Sequence, residues 1–210
     1  MELIVERAGA LVIAAPMETD EASMTAFVRD KKFWLYRKLA EKEVRQQPTN
    51  GKEFVSGEGF TYLGRTFRLL LVEEQETPLK LTNGRFRLRA DRAPHGRDTF
   101  ISWYMERARF WLKKRIIGWA SRVGVEPQGI EIRDLGYRWG SCSKTGALNF
   151  HWATILLPPS VIDYVIVHEL VHLIEPNHTP IFWQQVGRVL PEYEQRKTWL
   201  AEQGGAYVSL

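Results

Sequence analysis

The sequence has one cysteine, Cys142, among 210 residues. A single cysteine excludes an internal disulfide, and the absence of a Cys-x-x-Cys pair excludes a zinc site built from thiolates. Long apolar runs are also missing: residues 11–15 form the longest early one, which has no basic leader and ends at Pro16. Crossing a bilayer takes about 18 residues. We therefore expect a cytoplasmic protein rather than a secreted or membrane-inserted one.

A strong net charge of either sign is absent too. Lysine and arginine total 29 against 25 aspartates and glutamates, which leaves a formal charge of +4. This mild excess permits nucleic acid as a partner without indicating it. Because 44% of the residues are hydrophobic and no repeat is visible, the chain is able to bury a core, which excludes disordered and fibrous classes.

The first half of the chain predicts strands and one helix. Residues 3–5 and 11–13 predict a hairpin, residues 21–44 have helical apolar spacing that stops at 48–51, and residues 60–72 and 79–88 predict two further hairpins. The second of these turns at Asn83-Gly84, a dipeptide that tolerates the positive φ of tight turns. We interpret residues 1–92 as a β-rich N-terminal unit with one helix and residues 93–210 as a second domain, with Pro94-His95-Gly96 at the seam.

A long helix is predicted over residues 99–123. Its main core stripe comprises Ile101, Met105, Ala108, Leu112, Ile116 and Trp119, and a second apolar stripe comprises Trp103, Phe110 and Ile117. The basic residues between Arg107 and Arg122 are interpreted as a solvated face rather than a nucleic-acid patch. Residues 130–132 and 148–157 predict strands, and Ser160 with Asp163 predicts the capped start of another helix. These elements together indicate an α+β fold.

Residues 168–172 read His-Glu-Leu-Val-His. On a helix, His168 and His172 project from one face and are close enough to share a metal ion. Glu169 is rotated by about 100° from His168, beside the metal position, where a general base belongs. The flanking residues are apolar nearly all round, so the helix must be buried, and burial of these polar groups without a metal would be costly.

Catalytic zinc commonly has three protein ligands and an open position for water. His178 is the predicted third ligand, because Pro176 ends the helix and Thr179-Pro180 begins the next one. Glu192 and Glu194 remain as alternatives. The spacing of the histidines is also that of metzincins, but Glu175 stands where those have glycine and no methionine follows His178.

With these residues, the sequence resembles the YgjP-like metallopeptidase family, a relative of SprT-type zinc metalloproteases and other minimal zincins. The resemblance rests on Arg138-Trp139-Gly140-Ser141-Cys142, Asn149, Pro158-Pro159, Ile162-Asp163-Tyr164, the residues 168–172, His178 and Phe182-Trp183. It implies a zincin-like catalytic domain, a zinc ion on His168, His172 and His178, and Glu169 as the catalytic base.

Other residues near these motifs have less definite roles. Arg138 is a candidate catalytic residue that would bind an oxyanion, carboxylate or phosphate, or else a residue that ties down its own turn. Cys142 and the tryptophans Trp139, Trp152 and Trp183 are interpreted as packed residues, and His151 as structural or facing substrate rather than as a ligand.

Three functions fit the pattern. The first is a zinc-dependent hydrolase that cleaves peptides or proteins, with the strand over residues 146–155 as the edge that pairs with an extended substrate. The second is a metal-dependent nucleotide phosphohydrolase on the same site, since one branch of the family carries the name UTP pyrophosphatase; no phosphate-cradling Gly-x4-Gly-Lys motif is present. The third is a zinc-stabilised protein associated with DNA.

Overall fold

The computed structural model describes residues 1–5, 11–31, 51–136, 138–208 and 210. Two compact units, Met1–Asn50 and Gly51–Leu210, make up the chain. In the first, strands β1 (Glu2–Val5) and β2 (Leu11–Ala14) pair antiparallel, which confirms the predicted hairpin. Helix α1 (Glu21–Asp30) begins where Asp20 accepts a hydrogen bond from the backbone N–H of Ser23. The hairpin turn and the predicted helix from residue 32 onward lie outside the described residues.

The second unit begins with a four-stranded sheet. Its strands are β3 (Gly59–Tyr62), β4 (Arg65–Val72), β5 (Leu79–Thr82) and β6 (Arg85–Arg89), in the order β3-β4-β6-β5. Both predicted hairpins are present, and their turn residues Leu63, Gly64, Asn83 and Gly84 all have positive φ. Strands β4 and β6 join the two hairpins by parallel pairing.

Helix α2 (Gly96–Val123) follows a 3-10 turn and ends at Gly124, which has φ of 83°. The predicted core residues Ala108, Leu112 and Ile116 are fully buried. In the second predicted stripe only Trp103 is buried, and its ring packs against Tyr62 and Phe86 of the four-stranded sheet. The prediction is wrong for the other two residues. Phe110 and Ile117, which lack such a neighbouring sheet, are 75% and 64% exposed.

The predicted boundary between residues 92 and 93 lies inside the second unit. Phe100 of α2 stacks on Phe60 of β3 at a centroid distance of 4.0 Å, so the helix shares a core with the sheet that precedes it. The assignment of residues 1–92 and 93–210 to two domains stays a prediction.

A three-stranded sheet follows, with β7 (Gly129–Arg133), β8 (Gly140–Cys142) and β9 (Ala147–His151). Its order is β7-β9-β8, with β7 parallel and β8 antiparallel to β9. The predicted strand over residues 148–157 is too long: at His151 the ring Nδ1 accepts a hydrogen bond from the N–H of Ala153, which starts a 3-10 helix over Trp152–Leu156. In the order β7-β9-β8, strand β9 is central and both β7 and β8 are edge strands.

Three α-helices follow, α3 (Pro159–Val171), α4 (Pro180–Val189) and α5 (Tyr193–Gln203), and then a 3-10 helix (Gly204–Val208). As predicted, α3 is buried on nearly every side. The predicted Ser160 cap is wrong, because α3 begins with prolines and no side chain caps it. Asp163 instead accepts hydrogen bonds from Arg115 and from the indole N–H of Trp119, both on α2. None of the described helices is long and apolar enough to cross a membrane.

Candidate metal centre

Three imidazoles meet at the end of α3. His168 lies in the last turn of the helix, His172 is the residue that caps its C-terminus, and His178 lies in the loop before α4. The Nε2 atom of His172 is 3.2 Å from that of His168 and 3.2 Å from that of His178. The remaining pair, His168 and His178, is 3.0 Å apart. The structure thus brings together the three histidines that the sequence singled out, and their ring nitrogens could hold one metal ion.

Local sequence explains how the loop returns His178 to the helix. The backbone N–H of Asn177 donates to Oε1 of Glu175 at 3.1 Å, and that of Thr179 donates to the carbonyl of Asn177 at 2.8 Å. Oγ1 of Thr179 then accepts from the N–H of Phe182, and Pro180 takes the first helical position, as predicted. His178 is therefore held between a tight turn and a capped helix.

Aromatic rings fix the imidazoles from behind. The ring of Phe182, which is fully buried, lies 4.9, 4.5 and 4.8 Å from the rings of His168, His172 and His178, measured between centroids. The half-buried Trp183 stacks on His178 at 5.6 Å with an angle of 19° between the rings. This packing restricts ring rotation, so the nitrogens are pre-positioned.

The protonation of these rings favours a cation between them. Burial lowers the pKa of His168 to about 3, and the neighbouring His172, His178 and Lys197 add to the effect. Burial also lowers the pKa of His172, whose Nδ1 lies 3.1 Å from the carbonyl oxygen of Glu175. A carbonyl only accepts, so Nδ1 carries the proton of neutral His172 and Nε2 presents a lone pair to the other two rings.

The spacing of the nitrogens suits zinc. Three nitrogens bound to a tetrahedral zinc at about 2.0–2.1 Å lie about 3.3 Å apart, close to the observed separations. Lone pairs directed at one another would repel, whereas a divalent cation among them turns the same arrangement into an attractive one. The residues present therefore fit a zinc ion.

Glu169 lies beside this cluster and is only 5% exposed. Its side chain packs directly on the backbone of β8: a Cβ added to Gly140 would lie 2.6 Å from Oε1 of Glu169. Burial raises the pKa of Glu169 to about 8, and the positive charge of Arg138 acts in the opposite direction. Arg138 is exposed, two residues before that strand, and within electrostatic reach of the carboxylate.

The other polar residues considered as ligands have different partners. His151 is 2% exposed; its Nε2 lies 3.2 Å from Oδ1 of Asp134 and its Nδ1 accepts from Ala153, so its role is structural. Glu192 accepts a hydrogen bond from Arg196 at 2.6 Å, and Glu194 accepts one from the hydroxyl of Tyr193. Cys142 is half-buried, and burial raises the pKa of its thiol.

Sequence reasoning missed Lys197. Its Nζ lies 3.8 Å from the centroid of the Trp183 ring, which itself stacks on His178. Nothing in the sequence distinguishes this lysine from other charged residues of a helix surface, since only the packing of α5 beside α4 brings it to the centre. Trp183 was expected in the core, and the structure instead places it half-buried, in contact with the histidines.

Comparison with known proteins places the chain in the class of metallopeptidases. Its sequence matches the YgjP-like family, metallopeptidase domain, over residues 1–203, so the chain belongs to that family. The family implies a metal ion, typically zinc. A solved structure, the metallopeptidase zymogen of Pyrococcus abyssi abylysin, is 22% identical, covers 44% of this chain and 94% of its own, and has a TM-score of 0.40. A comparison with curated proteins found no match.

Proposed function

We propose that the chain is a zinc-dependent peptidase in which His168, His172 and His178 bind the metal and Glu169 is the general base. The observation that carries this proposal is the convergence of three Nε2 atoms within 3.2 Å beside a buried carboxylate. A zinc site with three histidine ligands keeps a position open for chemistry, unlike a structural site closed by four protein ligands.

Zinc, when bound, supplies Lewis acidity and lowers the pKa of water. Glu169 accepts the proton of the attacking water on its carboxylate and delivers it to the nitrogen of the departing amine. Its burial against β8 holds the carboxylate in one place and keeps bulk solvent away from it. Arg138 is the candidate for stabilising the negative charge that develops on the substrate oxygen.

The substrate edge proposed here is β8 rather than the strand over residues 146–155. Strand β9 in that region is paired on both sides, so it has no free edge. Strand β8 is at the end of its sheet, and Gly140 within it contacts Glu169. An extended peptide that pairs with Gly140–Cys142 would therefore pass directly over the general base.

The test compares the zinc-loaded chain with its Glu169→Gln variant on a broad peptide library. We expect cleavage by the wild type, loss of cleavage in Glu169→Gln, and one zinc per chain in both, measured by atomic emission. His178→Ala should lose both zinc and activity. No cleavage of any peptide by a fully loaded wild type would contradict a peptidase. Release of pyrophosphate from UTP that disappears in Glu169→Gln would instead assign the site to nucleotide hydrolysis.

A further inference from the structure

A lysine ammonium lies at the edge of the candidate metal centre. Lys197 projects from α5, is exposed, and has its Nζ 3.8 Å from the ring centroid of Trp183. None of the ion pairs formed between described residues includes it. Glu194, three residues earlier on the same helix, accepts from the hydroxyl of Tyr193 instead.

Trp183 links this ammonium to the histidines. The indole stacks on His178 at 5.6 Å and 19°, and on Tyr193 at 5.6 Å and 17°. A cation over the face of an indole is attracted by the ring quadrupole, which favours the position of Nζ over the Trp183 ring. Two contacts therefore connect Lys197 to the cluster of Nε2 atoms: the ammonium contacts Trp183, and Trp183 contacts His178.

The charges around the centre are unequal. Lys197 is an exposed cation against the Trp183 ring that stacks on His178, and a bound zinc would add two more positive charges. Glu169 is buried, and Glu175 accepts a hydrogen bond from the backbone of Asn177. A ligand that approaches this rim from solvent meets positive charge, which attracts anionic groups.

We propose that Lys197 binds a carboxylate of the peptide substrate, so that the site selects peptides with an acidic side chain or the free C-terminal carboxylate beside the bond that is cleaved. This inference rests on the proposed function, since it names the substrate class of the same site. A charge-assisted hydrogen bond at an exposed position is expected to change binding about five- to twentyfold.

Small metal-binding probes test the idea without a known substrate. Zinc-loaded protein is titrated by calorimetry with hydroxamates whose alkyl chains of increasing length end in a carboxylate, and with matched hydroxamates that end in a methyl group. We expect the carboxylate series to bind about five- to twentyfold more tightly at the chain length that reaches Lys197. Lys197→Met, which removes the charge and keeps an unbranched side chain, should abolish this advantage, and Lys197→Arg should retain most of it.

The matched control is Lys113→Met, which removes the same charge from the exposed face of α2 and should leave the advantage intact. Equal binding of both series by the wild type, or an unchanged advantage in Lys197→Met, would overturn the inference while the proposed function stands. If neither series binds to protein that holds one zinc, the proposed function fails and the inference fails with it.

Peptides distinguish the two sources of the carboxylate. For a cleaved peptide, the Asp-to-Asn exchange and amidation of the C-terminus are compared in wild type and Lys197→Met. The exchange that removes the true partner should raise KM about tenfold in the wild type, leave kcat unchanged, and have no effect in Lys197→Met. Insensitivity of the wild type to both exchanges would count against Lys197 as a substrate-binding residue.

Discussion

Gly140→Ala should disable the proposed general base without removing the metal. The added Cβ would lie 2.6, 2.7 and 2.8 Å from Oε1, Cγ and Cδ of Glu169. Non-bonded carbon atoms prefer separations of about 3.5–4.0 Å, so the glutamate must move by about 1 Å. Because Gly140 belongs to a paired strand and Glu169 to a buried helix, the glutamate side chain is the part that gives way.

The displacement has two measurable consequences. A misplacement of about 1 Å at a catalytic group lowers kcat about 100-fold, and overpacking of a buried site lowers the free energy of unfolding by about 1–3 kcal/mol. Zinc content should stay at one per chain, since the three atoms nearest to the added Cβ all belong to Glu169 and not to a histidine. The assays are kcat on a cleaved peptide, zinc analysis and urea unfolding of the metal-free protein.

Two controls separate this contact from a general effect on the sheet. In Gly129→Ala, on β7 of the same sheet, the new Cβ meets only Ala147 at 3.9 Å, so activity and stability should be nearly unchanged. In a Glu169→Ala background, Gly140→Ala should cost at least about 1 kcal/mol less than in the wild type, because the clashing side chain is gone. Wild-type kcat in Gly140→Ala, with additive effects on stability, would refute the reasoning.

Three further predictions concern the framework and the metal. Asp163→Ala leaves Arg115 and the Trp119 indole without their shared acceptor, so urea unfolding should show a loss of about 2–4 kcal/mol; a loss below about 0.5 kcal/mol would contradict a stabilising pair. Gly64→Ala should lower the free energy of unfolding by about 2–3 kcal/mol, because φ is +74° and the new Cβ would lie 2.9 Å from Cα of Pro158. Gly84→Ala, where φ is +71° but the space is open, should lower it by about 1 kcal/mol. Equal losses in the two variants would show that the Pro158 contact is unimportant. Zinc at about 100 times its Kd should stabilise the wild type by about 2.7 kcal/mol, seen as a higher Tm in calorimetry, and His172→Ala should lose this gain; an equal gain in the variant would contradict His172 as a ligand.

Local patterns in the sequence were enough to predict that the three histidines of the candidate metal centre lie together. Two histidines four residues apart share a face on any helix. Pro176 ends that helix and Thr179-Pro180 begins the next one, so the loop that contains His178 is short. The same holds for the turns at Gly64 and Asn83-Gly84, where positive φ is required. These signals act over a few residues, and they survive folding because no distant contact opposes them.

Other features depended on contacts between residues far apart in the chain. Asp163 looked like part of a helix cap, but the approach of α2 gives it Arg115 and Trp119 as partners. A run that reads as one strand over residues 148–157 ends at His151 because its ring caps the following turn. In both places a tertiary or side-chain contact outweighs a local preference of comparable size.

The sequence by itself determined which side chains are able to bind a metal, because helical spacing and proline sterics are properties of the local chain. Only the tertiary structure decided what surrounds them: β8 at an edge of its sheet, Gly140 against Glu169, and Lys197 on Trp183 beside His178. Those neighbours follow from strand order and helix packing, which are set by the burial of the whole core. The sequence around these residues contains no periodic pattern that would predict such contacts.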